Sequence, residues 1–436
     1  MDMNVSFTPD PEASASRASR LSRREWLSAG ALVGGSLVLG QVMRACRAPS
    51  EAPVAEHRGA RGDSLVCIFL RGGADGLHLV PPHAEDAYHA ARPTIAVGRP
   101  DDRRAAMRAL DLDGFFGLHP MLEPLLPIYR AGHLAIVHAT GSLDKSRSHF
   151  NAMDTMERGA MVALDTGWLG RHLMAHDTGN PSALRAVSIG YLPQAALAGA
   201  SATALIDPAR HRLEGDRARW QRLLPFLRDA YASENAGATC DAMLAGLDDL
   251  ARLDSSRYVP RGPGYPAGPF ARCLSTLARF LRAGIPMEVA CLDLAPFDSH
   301  GKQALENGEL NTLLTNLALS LRTFYEDLAE EMDRVTVVVM TEFGRRLHEN
   351  GAEGTDHGYG SCLWLMGGGV AGGRVHGRWP GLAPENLFPP GDLDITTDYR
   401  DVLAEVLRRR LLNPRTDLVF PGHPVHEIGV IAADRV

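Results

Sequence analysis

The chain has 436 residues, of which 45% are hydrophobic and 22% charged, a composition typical of a soluble globular protein with a substantial core. The formal net charge of −7 disfavours a nucleic-acid-binding protein that works by neutralising phosphates. The cysteines show no CxxC pair and no zinc-finger spacing, which argues against a cysteine-based metal site. Cys67, Cys291 and Cys362 lie in apolar runs and are predicted to be small buried hydrophobic residues.

The N-terminal segment is predicted to be separate from the fold. Arg23 and Arg24 precede Trp26, Leu27 and a glycine-rich, mildly apolar stretch at 29–42. This pattern resembles a twin-arginine export signal, which implies export to the periplasm or cell exterior by the twin-arginine translocation machinery. The alternative is an arginine pair before a short hydrophobic helix. The stretch is too short and too rich in glycine for a stable membrane span, so we expect none in the mature protein.

Strand patterns and helical patterns alternate along the rest of the chain. The predicted strands are Leu65–Leu70, Leu134–Ala139, Arg185–Gly190, Met287–Leu294, Val335–Met340 and Cys362–Met366. The predicted helices are Met121–Ala131, Ser148–Arg158, Leu310–Met332 and Asp398–Leu412, the last capped by Thr397 or Asp398. This alternation predicts a doubly wound, mainly parallel sheet with helices on both faces.

Three regions follow from this pattern. Residues 1–46 are predicted to be the signal segment, 47–63 a polar linker and 64–436 one α/β domain. A helical insertion is expected within that domain at about 205–285.

Polar side chains follow several of the predicted strands. They are Asp75 after the first strand, Ser148 and His149 after the second, Asp298 and His300 after the strand at 287–294, and Asp356 with His357 after the strand at 335–340. Because ligands in open α/β sheets bind beyond the carboxyl ends of the strands, we expect these side chains to form one site.

The residue types in this set suit a divalent metal. Asp75, Asp298, His300, Asp356 and His357 are the predicted ligands, and imidazole together with carboxylate favours Zn, Mn or Fe over Ca. Two such groups about 4 Å apart could hold two metal ions and clamp an oxyanion during in-line displacement.

Ser148 is the predicted nucleophile, at the first turn of a helix where free N–H groups favour an anion. Arg147, or alternatively Arg345, is expected to steady a phosphate or sulfate group. Ser148 can also be interpreted as an N-cap alone. Glu342 and Arg345 can be interpreted as an internal ion pair that braces the loop, and we favour that role over catalysis.

The remaining polar residues also have structural alternatives. Asp75 in GGADG would suit a turn, and Asp298 with His300 would suit a hydrogen-bonded loop. His376 is either a further metal ligand or an exposed loop residue, and we favour the second interpretation.

The motifs RGGADGL, RSHF, DSHGKQ, TEFGR, GTDHGYG, MGGGV and TTDYRDV occur in this order along the chain. Together they resemble the family named domain of unknown function 1501, over nearly all of the chain from Leu65 to about Leu412. Members of that family usually carry a twin-arginine signal. The family is placed in the alkaline phosphatase-like (sulfatase-like) superfamily, so the resemblance implies a doubly wound α/β sandwich.

The resemblance also implies roles for individual residues. Asp75 matches the superfamily's first aspartate and Ser148 its nucleophile, whereas the Asp298–His300 and Asp356–His357 pairs match the metal ligands. Two departures put one of the metal sites in doubt. The DxH spacing is shorter than in metal-dependent members, and Tyr359 stands where many family members carry histidine.

The first hypothesis is therefore an exported, metal-dependent hydrolase of phosphate or sulfate esters with a small anionic ester or glycan substrate. The alternative is a non-catalytic exported protein that binds a glycan or a partner on a degenerate hydrolase scaffold. A redox or secretion accessory, suggested by the export pattern alone, is the third.

Overall fold

A computed structural model describes residues 63–180, 182–190, 193–205 and 258–432, together with residues 222, 225, 226 and 246. All of them belong to one unit, Val54–Val436. The predicted signal segment and nearly all of the predicted linker lie outside the described residues. So does most of the predicted insertion, and these boundaries remain predictions.

Within the described residues, nine strands form one central sheet. They are β1 (Ser64–Leu70), β4 (Leu134–Gly141), β5 (Ala186–Ile189), β6 (Thr203–Leu205), β7 (Val289–Leu294), β8 (Val335–Thr341), β9 (Ser361–Gly367), β10 (Val375–His376) and β11 (Thr397–Asp398). The order across the sheet is β10-β4-β9-β8-β1-β7-β5-β6, and β11 pairs with β4. The short hairpin of β2 (Leu110–Asp111) and β3 (Gly117–Leu118) lies outside this sheet.

The described helices connect or follow these strands. They are α1 (Gly76–Leu79), α2 (Asp86–Ala91), α3 (Leu126–Arg130), α4 (His149–Arg158), α5 (Trp168–Ala175), α6 (Pro269–Arg282), α7 (Glu309–Leu328), α8 (Tyr399–Arg409) and α9 (Thr416–Val419). Short 3₁₀ turns occupy Pro120–Leu125, Ala195–Leu197, Ala329–Arg334 and Pro384–Asn386.

Both faces of the sheet are covered, which explains why the central strands are hydrophobic without alternation. In β1, Val66 and Ile68 point into one core cluster, whereas Leu65 and Cys67 point into another. Side chains of α6 and α7 complete the first cluster, and those of α5 and α8 complete the second. The predicted doubly wound, mainly parallel α/β fold is confirmed. Cys291 and Cys362 are buried with Cys67, as predicted.

The strand β9 is the exception to the parallel arrangement, because it runs antiparallel to both of its neighbours, β4 and β8. Its first residue, Ser361, therefore lies at the edge where β8 ends at Thr341. The loop at 342–360 stays at that edge and carries Glu342 and the Asp356–His357 pair, whose positions thus depend on the direction of β9.

Two predicted helices differ in detail from the observed ones. The predicted helix at 121–131 is a 3₁₀ turn followed by α3, because Pro124 and Pro127 interrupt the α-helical hydrogen bonds. The predicted helix at 310–332 continues only to Leu328 as α7, and a 3₁₀ turn follows it. The helix α8 is capped by Asp398, whose side chain accepts a hydrogen bond from the backbone N–H of Arg400.

A search for helices able to cross a membrane, made on the described residues alone, finds no helix of sufficient length and apolarity.

Candidate metal centre

Three side chains converge beyond the strand ends. His149 begins α4, Asp298 lies in the loop after β7, and His357 lies in the loop before β9. One potential ligand atom from each lies within 4.8 Å of the others. The distance to Asp298 Oδ1 is 3.2 Å from His357 Nε2 and 3.5 Å from His149 Nε2. We call these three residues the His149 cluster.

The Nδ1 atoms of His149 and His357 each lie within hydrogen-bond distance of an acceptor. His149 Nδ1 lies 2.8 Å from Glu342 Oε1, and His357 Nδ1 lies 2.9 Å from the backbone carbonyl oxygen of Arg147. Because a carbonyl oxygen can only accept, His357 Nδ1 must donate, which leaves the lone pair of its neutral ring on Nε2. A carboxylate imposes the same tautomer on His149. Carboxylate or carbonyl partners of this kind orient most metal-ligating histidines.

His149 Nε2 is a buried atom without a hydrogen-bond partner among the described residues. A buried polar atom left unpaired carries a desolvation cost, which a bound cation would remove. Burial lowers the pKa of His357 more than the Arg147 carbonyl raises it, so this ring stays neutral and able to coordinate. The chemistry of the cluster therefore fits a divalent metal.

His300 lies against the cluster at its exposed side. Its Nε2 atom is 3.0 Å from His357 Nε2 and 3.1 Å from Asp298 Oδ1. Asp356 lies one step further out, with its Oδ1 atom 3.5 Å from His300 Nδ1. A hydrogen bond from Asn350 is the main cause that lowers the pKa of Asp356, and His300 contributes. Of the predicted ligands, the structure thus brings Asp298, His300 and His357 together, with Asp356 at the rim.

Asp298 is stabilised in its ionised form by a buried arginine. Arg345, whose side chain is fully buried, donates to Asp298 Oδ1 at 2.6 Å. Burial raises the pKa of Asp298, but the hydrogen bond and charge of Arg345 outweigh it, with help from His300 and His149. The pKa of this carboxyl group therefore lies below its usual range, and Asp298 is ionised and available to a cation.

Asp75 is separate from the cluster, contrary to its predicted role as a ligand. Its two carboxylate oxygens accept from Arg92 Nη1 at 2.7 Å and Nη2 at 3.1 Å, and Gln303 Nε2 donates to Oδ2 at 2.6 Å. Both Asp75 and Arg92 are almost completely buried. A metal ion at Asp75 would have to displace the guanidinium group, so the structure assigns Asp75 to an internal ion pair.

The Asp75 ion pair supports the cluster indirectly. Gln303 bonds Asp75 through its amide nitrogen, and its Oε1 atom accepts from Thr355 and Ser299 at 2.8 and 3.3 Å. Ser299 is adjacent to Asp298 in the chain. The pair thus braces the two loops that deliver the ligands.

Arg147 is also placed differently from its predicted catalytic role. Its guanidinium group donates to the buried carboxylate of Asp392 at 2.8 and 2.5 Å and to the Pro389 carbonyl at 2.7 Å. Its backbone adopts a φ of 51°, which is uncommon for a residue with a side chain. Arg147 therefore holds its own carbonyl oxygen towards His357, and its guanidinium group is already paired.

Ser148 lies between His149, a member of the cluster, and Arg147, whose carbonyl oxygen accepts a hydrogen bond from His357. It occupies the N-cap position of α4, but its side chain makes no capping hydrogen bond. The interpretation of Ser148 as a capping residue alone therefore lacks the bond that defines it. The hydroxyl group is not used to satisfy the end of the helix.

Glu342 and Arg345 do form a frame, but not the predicted ion pair with each other. Arg345 pairs with Asp298 and donates to backbone carbonyls that include those of Gly73 and Thr355. Glu342 accepts from His149 and from the backbone N–H of Gly72.

The preferred interpretation of His376 as an exposed loop residue is wrong. His376 is 7% exposed, forms part of β10 and lies 2.7 Å from the carbonyl oxygen of Ala371. It is a structural residue of the sheet edge.

His149 is a candidate ligand that the sequence placed at a strand end but did not assign to the metal. It follows Ser148 directly in the RSHF motif, and the serine drew the functional interpretation. The position next to a predicted nucleophile was the available indication. Its partner Glu342 lies 193 residues away, so no local pattern links the two.

The glycines of the loop at 342–360 are needed for close packing. A Cβ atom on Gly358 would lie 2.3 Å from the carbonyl carbon of Arg345, and one on Gly344 would lie 1.8 Å from the carbonyl oxygen of Gly360. The two arms of the loop pack backbone to backbone, which sets His357 beside Arg345.

Glu342→Gln is expected to weaken metal binding about 10- to 100-fold, because it removes the carboxylate that orients His149. Competition between the protein and a metal-binding dye measures the dissociation constant. Glu349→Gln is the matched control, because Glu349 accepts hydrogen bonds from the backbone of Thr94 and Ile95 and not from a candidate ligand. Equal affinities of the wild type and Glu342→Gln would contradict the orienting role of Glu342.

Residues 260–428 match the model of a family described as "Protein of unknown function (DUF1501)". The resemblance predicted from the motifs is thereby confirmed for this segment, which contains Asp298, His300, Asp356 and His357. No curated protein matches the chain.

Several solved structures are distantly similar. The PsFucS1 sulfatase from Pseudoalteromonas sp. is 9% identical over 92% of this chain and 74% of its own, with a TM-score of 0.35. The lipoteichoic acid synthase LtaP from Listeria monocytogenes is 9% identical over 71% of this chain and 66% of its own, with a TM-score of 0.29. The alkaline phosphatase from the Antarctic bacterium TAB5 is 6% identical over 71% of this chain and 92% of its own, with a TM-score of 0.25.

Proposed function

We propose that the chain is a metal-dependent hydrolase of phosphate or sulfate esters, with the metal held by the His149 cluster and by His300 at its rim. The observation that carries the proposal is the convergence of two histidine Nε2 atoms on the Asp298 carboxylate. The Nδ1 atoms of His149 and His357 are each held by an acceptor, and His149 Nε2 is buried without a hydrogen-bond partner among the described residues. Zn, Mn or Fe suits this set of nitrogen and carboxylate ligands better than Ca.

A divalent ion bound there would supply Lewis acidity toward the oxygens of the ester. The protein contributes Ser148, whose Oγ atom would form a bond to phosphorus or sulfur. The bond between the phosphorus or sulfur atom and the alcohol oxygen breaks, and the serine proton leaves with the alcohol. Water then releases phosphate or sulfate and restores the hydroxyl group.

The position of Ser148 supports this role. Of its two chain neighbours, His149 belongs to the cluster and Arg147 contacts it, and the Ser148 hydroxyl group makes no capping bond. It also lies at the N-terminus of α4, where unpaired backbone N–H groups favour an anion.

Arg346 is the candidate cation for the anionic group of the substrate. Arg147 and Arg345 are engaged with Asp392 and Asp298. The Arg346 side chain is 40% exposed and is the least engaged of the three, because its Nε atom lies 4.0 Å from Asp392 Oδ1 and has no hydrogen-bond partner among the described residues. Its backbone N–H donates to the Asp356 carbonyl, which places it beside the rim.

We also propose that the protein is exported to the periplasm or the cell exterior by the twin-arginine machinery. The pattern around Arg23 and Arg24 supports this proposal. Cell fractionation of the full chain and of an Arg23→Lys, Arg24→Lys variant is the test. Retention of the variant inside the cell is expected, and equal export of both forms would contradict the proposal.

The proposed metal site is tested by the metal content of protein purified from its exporting host. We expect about one equivalent of divalent metal per chain, bound by the cluster. His149→Ala is expected to lose most of it, because two ligands remain beside an exposed His300. His348→Ala, a change at an exposed histidine outside the cluster, is the matched control and should keep the metal.

A wild-type protein without Zn, Mn, Fe or Ca, with unchanged stability on addition of a chelator, would refute the proposal. Full metal content in His149→Ala would refute the assignment of this ligand.

A non-catalytic binding protein remains the second candidate. The observation that favours it is the ion pair of Asp75 with Arg92, which occupies a predicted ligand and leaves fewer groups for a second metal. This candidate predicts no turnover of generic aryl phosphates or aryl sulfates.

A further inference from the structure

A cavity among the described residues lies near the end of β4 and plays no part in the chemistry proposed above. Its volume is about 590 Å³, within the range of pockets for small organic ligands. Its lining includes the apolar side chains of Leu143, Met161, Val162 and Ile395, and we call the three exposed ones, Leu143, Met161 and Val162, its apolar lip. We call it the Met161 pocket.

The Met161 pocket and the cluster open at the same edge of the sheet. Leu143 belongs to the loop after β4, and Arg147, further along that loop, bonds His357. Ile395 lies against Gly141 at the end of β4. Only β9 separates β4 from β8, so the end of β4 is roughly 10 Å from the end of β8, where the cluster is built. One loop thus borders both sites.

The charged side chains in the Met161 pocket already have hydrogen-bond partners within it. Arg400 donates to Asp398 at 2.9 and 2.7 Å, and His423 Nε2 lies 2.8 Å from Asp401 Oδ1. Arg400, the arginine that lines the pocket, is thus engaged with Asp398 and is not free for a second phosphate or sulfate. The cavity therefore presents polar groups that can form hydrogen bonds next to the apolar side chains of its lining.

The apolar lip is unusually exposed. Leu143 is 45% exposed, Met161 49% and Val162 60%. Three exposed large hydrophobic side chains around one cavity indicate a surface that contacts an apolar group.

We propose that the Met161 pocket binds the uncharged, largely apolar alcohol portion of the ester while the charged group lies at the His149 cluster. The inference rests on the proposed function and adds a substrate class to it, namely esters of bulky uncharged alcohols. The shared edge of the sheet, the pairing of Arg400 with Asp398 and the apolar lip each support this occupant.

The test uses the full metal-loaded chain with ¹³C-labelled methionine methyl groups, observed by NMR. Met161 is assigned with Met161→Leu. Met174 is the internal control, because it is 52% exposed on α5 and does not line the pocket. The probes are n-octyl phosphate, ethyl phosphate and 1-octanol.

We expect n-octyl phosphate to shift the Met161 signal saturably and to leave Met174 unchanged, whereas ethyl phosphate should shift neither. Val162→Asp should weaken binding of n-octyl phosphate about tenfold, since it places a charge where methylene groups would be buried. The affinity for ethyl phosphate should stay the same. Val162→Thr, a milder change, should reduce the affinity for n-octyl phosphate in the same direction.

The outcomes separate this inference from the proposed function. If the chain holds no metal, 1-octanol should still shift the Met161 signal. That result would support binding at the Met161 pocket even though the proposed hydrolase function had failed. An unshifted Met161 with both octyl probes, or equal shifts of Met161 and Met174, would overturn the inference. So would an unchanged affinity of both Val162 variants for n-octyl phosphate.

Discussion

Replacing Asp75 with alanine is expected to lower the free energy of unfolding by about 3–5 kcal/mol, because it leaves the fully buried Arg92 without its counter-charge. Removal of one partner of a buried ion pair costs far more than the pair itself contributes. Arg92 would keep its hydrogen bonds to the carbonyls of Leu347 and Arg346 but would lose both bonds to a carboxylate. Urea unfolding measures the change.

The expected loss at Asp75 also separates an ion pair from a metal ligand. The deficit should persist in the presence of a chelator, since the partner is a side chain. Asp86→Ala is the matched control, because the ion pair of Asp86 with Arg99 is exposed and should contribute about 1 kcal/mol or less. If the difference in free energy of unfolding between the wild type and Asp75→Ala disappears when metal is removed, Asp75 is a metal ligand and the ion-pair assignment is wrong.

The pH dependence of this contribution follows from the direction of the pKa shift. Burial raises the pKa of Asp75, but the charge and hydrogen bonds of Arg92 outweigh it, so the pKa in the folded state lies below that in the unfolded chain. The stabilisation is therefore present in full above the unfolded pKa. It is lost as the pH falls through the folded pKa.

Ser148→Ala is expected to reduce the turnover of aryl phosphate or aryl sulfate esters by about 10³-fold or more, because it removes the proposed nucleophile. Metal content should stay unchanged, since Ser148 is not among the ligands of the His149 cluster. Steady-state kinetics and metal analysis of the same preparation provide both measurements. A lower kcat without loss of metal would place the defect in the chemical step.

Ser146→Ala is the matched control for this experiment. Ser146 lies in the same loop, and its hydroxyl group bonds Asp144 and the backbone N–H of Ser148. Its removal should change kcat only slightly. No turnover by the wild type, together with unchanged ligand binding by Ser148→Ala, would favour the non-catalytic candidate.

The fold could be predicted well because its evidence is local. The apolar runs of β1, β7 and β8 lie within one or two residues of the predicted strands, and burial on both faces explains their composition. The direction of β9 could not be predicted in the same way, since parallel and antiparallel strands of this length have similar patterns.

The candidate site was predicted in part. Asp298, His300 and His357 meet because the loops after β7 and before β9 share one edge of the sheet. Asp75 also follows a strand, but Arg92 takes both of its oxygens, and nothing near Asp75 in the sequence marks Arg92 as that partner.

The sequence by itself determined the alternation of strands and helices, the hydrophobic sheet and the kinds of ligand collected at its edge. These properties follow from periodicity and from residue type at each strand end. Only the tertiary structure decided which polar groups pair with one another. His149 with Glu342 and Arg147 with Asp392 are separated by 193 and 245 residues. Such partners are determined by tertiary packing. A single buried cation, Arg92, pairs with Asp75 and makes that predicted ligand a structural carboxylate.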